Sequence, residues 1–238
     1  MNFTKTQKII AVSAGAAVLI LGLLWFFQEQ GLLKVFPTDE DRGVRAALRI
    51  DESKFKAPVG VSEEDFRKQI AEAYARRAMV KKNKKDVSAW FAFGYQLNFL
   101  NDHEGAVRAW EIVFRLQPEN HLVAGNLASN YQYFLKDYAK AEFYYDQALT
   151  IQPAFTDAWK GLADLYRFNW KEKNNLVEPL MLEAIRNDSA NESAYLVFLV
   201  SFFAEGGDFA KAGEYYARVR SLNPSAADDL LETYPGLR

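Results

Sequence analysis

Histidine and cysteine, which often act as general bases, nucleophiles or zinc ligands, are scarce in this 238-residue chain. His103 and His121 are its only histidines, and it has no cysteine, which excludes a thiol nucleophile, a thiolate zinc site and a disulfide framework. Neither histidine has a carboxylate and a nucleophile in a register that would bring the three groups together. There is also no phosphate-binding loop and no dinucleotide fingerprint. The sequence therefore predicts a protein that is not an enzyme, with no cofactor and no metal site.

The overall charge bears on the class of partner. Lysine and arginine number 29 and the acidic residues 31, so the formal net charge is −2 at pH 7. A nucleic-acid-binding domain carries a basic surplus, so no nucleic acid is expected as partner. Half of the residues are apolar and a quarter are charged, which allows a sizeable core and is not typical of disorder.

An apolar run near the N-terminus predicts a membrane-spanning helix. Residues 9–27 carry no charge and as a helix would be about 28 Å long, close to the ~30 Å hydrocarbon core of a bilayer. A cleaved signal peptide is the alternative, but its apolar stretch is typically about 7–15 residues and ends in small residues. Here Trp25, Phe26 and Phe27 close the run. We expect a short tail over residues 1–8 and an uncleaved transmembrane helix over residues 9–27.

The basic residues on either side of this run predict its orientation. Lys5 and Lys8 precede it, whereas Lys34, Arg42 and Arg45 follow it, so the two sides are nearly balanced. The two arginines lie at the outer limit of the window that determines orientation, and a short N-terminal tail is easily retained. A single-pass protein with its large C-terminal portion outside the cytoplasm is therefore expected.

The segment after the apolar run divides into a linker and a helix. Residues 28–61 lose helical periodicity and predict a linker. Residues 62–85 predict a capping helix or a degenerate half repeat, with Ser62 and Asp65 as a capping-box-like pair at its start. Six cations lie between Arg76 and Lys85. They suit the negative end of a helix dipole or, alternatively, would form a patch for an anionic lipid or an acidic partner.

Self-similar segments fill most of the remaining chain. The segment Trp90–Leu97 recurs at offsets of 34, 35 and 36 residues, as Ala124–Tyr131, Trp159–Tyr166 and Tyr195–Phe202. A second motif, made of alanine, an aromatic residue, a small residue and proline, follows in the first, second and fourth units. In the third unit this motif is degenerate, and Asn187, Asp188 and Ser189 replace the proline. This periodicity predicts four helical hairpins over residues 86–119, 120–154, 155–190 and 191–224.

The spacing within each unit indicates how the hairpins pack. Apolar residues three, four and seven apart share one helix face. Gly94, Ala128 and Ala163 stand where a second helix must come close, and prolines end the second helices. Stacked hairpins of this kind share a continuous core. Residues 225–238 predict a C-terminal cap, with Ser225 as the N-cap of a last short helix.

These motifs resemble the tetratricopeptide repeat, and the resemblance covers roughly residues 86–224. It implies an all-α fold, a solenoid of about four helix-turn-helix repeats. In solenoids of this family the first helix of each hairpin lines a concave groove that binds a protein or peptide. Projected onto this sequence, the groove residues are Phe91, Tyr95, Asn98, Phe99, Asn126, Ser129, Gln132, Tyr133, Lys160, Asp164, Arg167, Leu196, Val200 and Phe203.

The resemblance also favours some functions of this family over others. Chaperone-binding members grip a carboxylate with asparagines and cations; Asn126 fits that pattern, but Asp157 and Gly161 stand where cations are needed, which disfavours this role. The chain most resembles bacterial inner-membrane proteins with periplasmic repeat domains, which assist the assembly of envelope complexes, so a membrane-associated protein partner is expected. Two alternatives are a cytosol-facing receptor or cochaperone docking site, and a homo-oligomeric solenoid whose groove binds a neighbouring copy.

Overall fold

A computed structural model of the chain describes residues 39–237. The chain divides into two compact units, residues 1–47 and residues 48–238. The described part of the first unit is a helix, α1 (Asp39–Ala47). The predicted tail over residues 1–8, the predicted transmembrane helix over residues 9–27 and the beginning of the linker lie outside the described residues. Among residues 39–237, none of the helices has the length and apolar character needed to cross a membrane.

The second unit is all-helical over its described residues. It contains one leading helix, four helical hairpins and one closing helix, in the order that the repeats predict. The helices are α2 (Glu63–Lys82), α3 (Val87–Phe99), α4 (His103–Leu116), α5 (His121–Asn130), α6 (Tyr138–Ile151), α7 (Thr156–Asp164), α8 (Val177–Asn187), α9 (Glu192–Glu205), α10 (Phe209–Leu222) and α11 (Pro224–Thr233).

Side-chain caps explain where these helices begin. The Ser62 hydroxyl accepts a hydrogen bond from the backbone N–H of Asp65 (3.1 Å), as the capping-box pattern predicts for the start of α2. An aspartate precedes the second helix of three hairpins, and each accepts a backbone N–H with its carboxylate: Asp102 before α4, Asp137 before α6 and Asp208 before α10. These caps satisfy N–H groups that have no partner within the helix.

The core of the stack consists of the large residues of the repeat. Trp90 and Trp110 are buried, and their indole N–H groups donate to the carbonyls of Lys84 (2.9 Å) and Phe91 (3.2 Å). A Cβ atom on Gly94 would lie 2.6 Å from Nε1 of Trp110, so α3 and α4 approach as closely as the sequence predicts. The side chains of these two helices therefore interlock around a glycine that has no space for a methyl group.

The ends of α5 and α7 differ from ordinary α-helix. Each continues into a π-helical segment, Tyr131–Leu135 after α5 and Leu165–Asn169 after α7. A π turn bonds residue i to i+5 and therefore holds one residue more than an α turn. This wider turn changes the direction of the side chains that follow, and it buries Gln132.

The C-terminal cap begins at a different residue from the predicted one. The N-cap of α11 is Asn223, whose side chain accepts from the N–H of Ala226 (3.2 Å), and not Ser225. Pro224 is the first residue of α11, a position that suits its fixed φ and its missing N–H. The proline therefore ends one helix and begins the next.

Candidate partner-binding groove

The first helices of the four hairpins, α3, α5, α7 and α9, form a surface that we call the groove face. It contains two cavities that the predicted groove residues help to line. The first cavity has a volume of about 290 Å³ and is lined by Phe91, Leu122, Gly125, Asn126, Ser129, Tyr145, Phe155, Asp157 and Ala158. The second has a volume of about 370 Å³ and is lined by Lys160, Asp164, Arg167, Ala194, Val197, Phe198 and Ser201.

The first cavity combines apolar walls with a few polar atoms. Phe91 and Phe155 contribute aromatic surface, and Gly125 keeps the wall open because its Cβ would lie 3.0 Å from the Phe155 ring. At the inner end, the Tyr145 hydroxyl lies 3.4 Å from the Ser129 hydroxyl. Burial raises the pKa of Tyr145 above its ordinary value, so the hydroxyl is neutral and can donate or accept. Such a site suits an apolar side chain beside a hydrogen-bonding group.

In the second cavity, Arg167 is held from several sides. Its guanidinium forms an ion pair with Glu205 and lies over the rings of Phe168 (4.6 Å), Phe198 (5.3 Å) and Phe202 (6.0 Å). Only 11% of the Arg167 side chain is exposed. A carboxylate and three aromatic rings already stabilise the charge of Arg167. Its side chain is therefore held in place and connects α7 to α9.

Asp164 has no comparable partner. Its carboxylate forms no hydrogen bond and no ion pair within residues 39–237, although the side chain is only partly exposed. Burial raises the pKa of Asp164, and the cations Arg167 and Lys160 oppose that shift. Tyr133 also has a raised pKa, first through its own burial and then through the nearby Asp164 charge. The cavity thus contains a partly desolvated anion that nothing in the described chain neutralises by contact.

Other predicted groove residues are not among those that line the two cavities. Tyr95 and Tyr133 are exposed, at 61% and 45%. The Asn98 amide oxygen lies 2.8 Å from Nδ1 of His103, so this amide is engaged within the first hairpin. Phe99 is half-buried. Tyr95 and Tyr133 are therefore the large side chains of the predicted set that a partner could contact without rearrangement.

Four of the predicted positions do not present a free surface. Gln132 is fully buried, and its amide lies 2.7 Å from the Tyr145 hydroxyl. Leu196 and Val200 are also fully buried, and Phe203 is partly buried and stacks on Tyr215 with ring centroids 5.8 Å apart. Gln132 lies in the π turn that follows α5, and this wider turn buries its side chain.

In the fourth hairpin, Leu196 and Val200 are buried by packing against the two helices that follow α9. Leu196 and Val200 share one core cluster with Ala212 and Val219 of α10 and with Ala227 and Leu230 of α11, so packing against these two helices buries the positions that the sequence assigns to the groove. The face of α9 that lines the second cavity is instead the one that carries Val197, together with other α9 residues one or two positions away from the predicted set: Ala194, Phe198 and Ser201.

The sequence prediction missed some lining residues that a simple signal could have found. Leu122 precedes Asn126 by four residues, and Asp157 precedes Lys160 by three, so each shares a helix face with a predicted residue. Extending the predicted face by one turn toward the N-terminus of each first helix would have included both.

Comparisons with known proteins agree with this geometry. Residues 123–155, which span the α5–α6 hairpin, match the family model of the tetratricopeptide repeat. No curated protein matches the chain. Among solved structures, the MamA RS-1 ArsTM double mutant is 18% identical, with a TM-score of 0.53 over 80% of this chain and 98% of that chain.

Two further solved structures have lower scores. YrrB, described as a TPR protein with an unusual peptide-binding site, is 17% identical, with a TM-score of 0.49 over 70% of this chain and 93% of that chain. TTC0263, a thermophilic TPR protein in Thermus thermophilus, is 13% identical, with a TM-score of 0.48 over 83% of this chain and 98% of that chain. The family match of the second hairpin and the likeness to MamA identify the fold as an all-α solenoid of the tetratricopeptide-repeat type.

Proposed function

We propose that this chain is a non-enzymatic scaffold that binds a protein or peptide partner on its groove face. The observation that carries this proposal is the pair of cavities between successive first helices. Each cavity combines apolar walls with polar groups, and in the second the Asp164 carboxylate has no hydrogen-bond or ion-pair partner within residues 39–237. Stable interfaces place a few aromatic or apolar anchors in such pockets and surround them with polar contacts.

The side chains of the groove face suit an extended or helical polypeptide. Tyr95 and Tyr133 offer large rings that are already exposed, so binding requires little ordering of new side chains. Asn126 and Ser129 in the first cavity can form hydrogen bonds with a peptide backbone. We infer that apolar side chains of the partner enter the first cavity while the tyrosines cover its backbone.

The proposal includes attachment to a membrane through residues 9–27. The uncharged run of nineteen residues supports this step, and Lys5 and Lys8 support a cytoplasmic N-terminus. A membrane anchor confines the groove face to a thin layer, which raises the effective concentration of any partner in the same membrane. The proposed role is assistance in the assembly of an envelope complex at the bacterial inner membrane, with the groove face outside the cytoplasm.

The tyrosines provide a test of the groove face. In affinity capture from membranes after crosslinking, the Tyr95→Ala, Tyr133→Ala double variant should retain about a tenth or less of the partner that the wild type retains. Phe143→Ala is the matched control, because Phe143 is a similarly exposed aromatic residue (51%) on the second helix α6. Equal retention by the double variant and the wild type would refute the proposed groove.

The orientation has a separate test. A C-terminal fusion to alkaline phosphatase should be active and a C-terminal fusion to green fluorescent protein should be dark, because each reporter functions on one side of the inner membrane. The opposite pattern would assign the groove face to the cytosol and would favour a docking receptor. Deletion of residues 9–27 should release the protein from the membrane fraction, which checks the anchor itself.

A further inference from the structure

The Asp164 carboxylate limits the chemistry of the partner at the second cavity. It lines the second cavity on α7 and is only partly exposed. A carboxylate on a short side chain cannot extend to bulk solvent as a lysine can, and an anion taken out of water needs a cation or hydrogen-bond donors. Within the described chain Asp164 has neither.

The nearby cations do not meet this need. Arg167 is committed to Glu205 and to the aromatic rings around it, and little of its side chain is exposed. Lys160, one turn before Asp164 on α7, forms no ion pair within residues 39–237, and its flexible stem lets the ammonium move into solvent. The cavity therefore holds one fixed negative charge beside a neutralised arginine and a mobile lysine.

The walls of the cavity complete the description of its ligand. Ala194, Val197 and the Phe198 ring are apolar and lie across from Asp164 on α9. A long aliphatic stem that ends in a cation fits both features, because the methylenes contact the apolar wall while the head group reaches the carboxylate. An acidic side chain would meet the same fixed anion and be repelled.

We infer that the second cavity is a subsite for a lysine or arginine side chain of the bound partner, with Asp164 as its counter-ion and α9 as its apolar wall. This inference rests on the proposed function, since it assumes that a polypeptide occupies the groove face. It names the chemistry of the partner as a segment that has an apolar residue for the first cavity and a basic residue for the second. Charge-assisted hydrogen bonds in such a partly desolvated site are stronger than those at an open surface.

The test uses the full chain in detergent micelles and a phage-displayed library of random peptides as the probe. Selection on the wild type should enrich peptides with lysine or arginine at one fixed position. Asp164→Asn should weaken the binding of those peptides about tenfold or more, whereas Asp228→Asn, the same change at an exposed site on α11, should leave it unchanged. Replacing the basic residue of the peptide with glutamine should weaken wild-type binding about tenfold but Asp164→Asn binding by about twofold or less, as expected of a direct contact.

The folding of Asp164→Asn can be checked independently. Because burial raises the pKa of Asp164 in the folded state, its ionised form is unfavourable at neutral pH, and the amide should leave Tm unchanged or raise it. Selected peptides that lack a basic position, or that bind Asp164→Asn as tightly as the wild type, would overturn the subsite and leave the groove intact. An equal effect of Asp228→Asn, at the exposed site on α11, would also overturn it, since the effect would then be a long-range field. Failure to select any peptide sensitive to Tyr95→Ala, Tyr133→Ala would contradict the proposed function itself.

Discussion

An alanine at Gly94 is expected to lower the free energy of unfolding by about 1–3 kcal/mol, whereas an alanine at Gly213 is expected to raise it by up to about 1 kcal/mol. Both glycines lie inside helices, α3 and α10. The new methyl group at Gly94 would lie 2.6 Å from Nε1 and 2.7 Å from Cδ1 of Trp110. At Gly213 a Cβ atom meets nothing within 4 Å.

The two alanine variants should change the stability in opposite directions because two effects compete. Alanine favours a helix over glycine because it reduces the conformational freedom of the unfolded chain, and this gain is present at both sites. At Gly94 the gain is exceeded by overpacking, since Trp110 is buried and its indole N–H donates to the Phe91 carbonyl. The indole cannot move aside without breaking that hydrogen bond or shifting α4.

Urea denaturation followed by circular dichroism at 222 nm would compare the two variants with the wild type. The midpoint should fall for Gly94→Ala and stay the same or rise for Gly213→Ala. A midpoint for Gly94→Ala at or above that of the wild type would show that α3 and α4 are not in the described contact.

The second large effect is expected at Asp188, where Asp188→Ala should lower the free energy of unfolding by about 1.5–3 kcal/mol at pH 7. The Asp188 carboxylate accepts hydrogen bonds from Tyr195 (2.6 Å), Thr156 (2.7 Å) and Asn191 (3.0 Å). Tyr195 is fully buried, so its hydroxyl would lose its partner where water does not replace it. Asp228→Ala, at an exposed site, should change the stability by about 0.5 kcal/mol or less.

The effect of Asp188 should depend on pH. Burial alone would raise the pKa of Asp188, but the hydrogen bonds from Tyr195, Thr156 and Asn191 outweigh it and hold the pKa below its ordinary value of 3.8. A lowered folded-state pKa means that the ionised group stabilises the fold above its ordinary pKa, and that this stabilisation is lost as the pH falls toward the folded-state pKa. The stability difference between wild type and Asp188→Ala should therefore be constant from pH 7 to about 5 and decrease below about 4. A difference that does not change with pH would mean that the carboxylate is not the acceptor.

The role of Asp188 shows where sequence reasoning reaches its limit. The third repeat lacks the closing proline and has Asn187, Asp188 and Ser189 in its place, so the irregularity itself is visible in the sequence. The structure shows that the Asp188 carboxylate ties α7 to α9 at that point. One donor lies 32 residues away on another helix, and local spacing carries no information about such a contact.

Residue spacing predicted the structure correctly where the contacts repeat along the chain. The hairpins, the capping of α2 by Ser62 and the close approach at Gly94 all follow from spacing that repeats along the chain. The groove positions at the centre of the groove face follow from the same spacing, and Asn126, Ser129 and Asp164 do line cavities. The groove positions of the fourth hairpin were predicted wrongly, because Leu196 and Val200 lie in a core cluster that includes α11, a helix with no repeat pattern.

The π segment after α5 accounts for the additional residue of the second unit. The first unit, whose first helix ends without a π segment, spans 34 residues to its equivalent in the second, and the second unit, with Tyr131–Leu135, spans 35. One additional residue is thus absorbed inside the helix as a widened turn, and Tyr145 still reaches the position that Trp110 has in the preceding hairpin. Insertions in this architecture therefore need not be confined to the loops, and a comparison that allows gaps only between helices would align the end of α5 one residue out of phase.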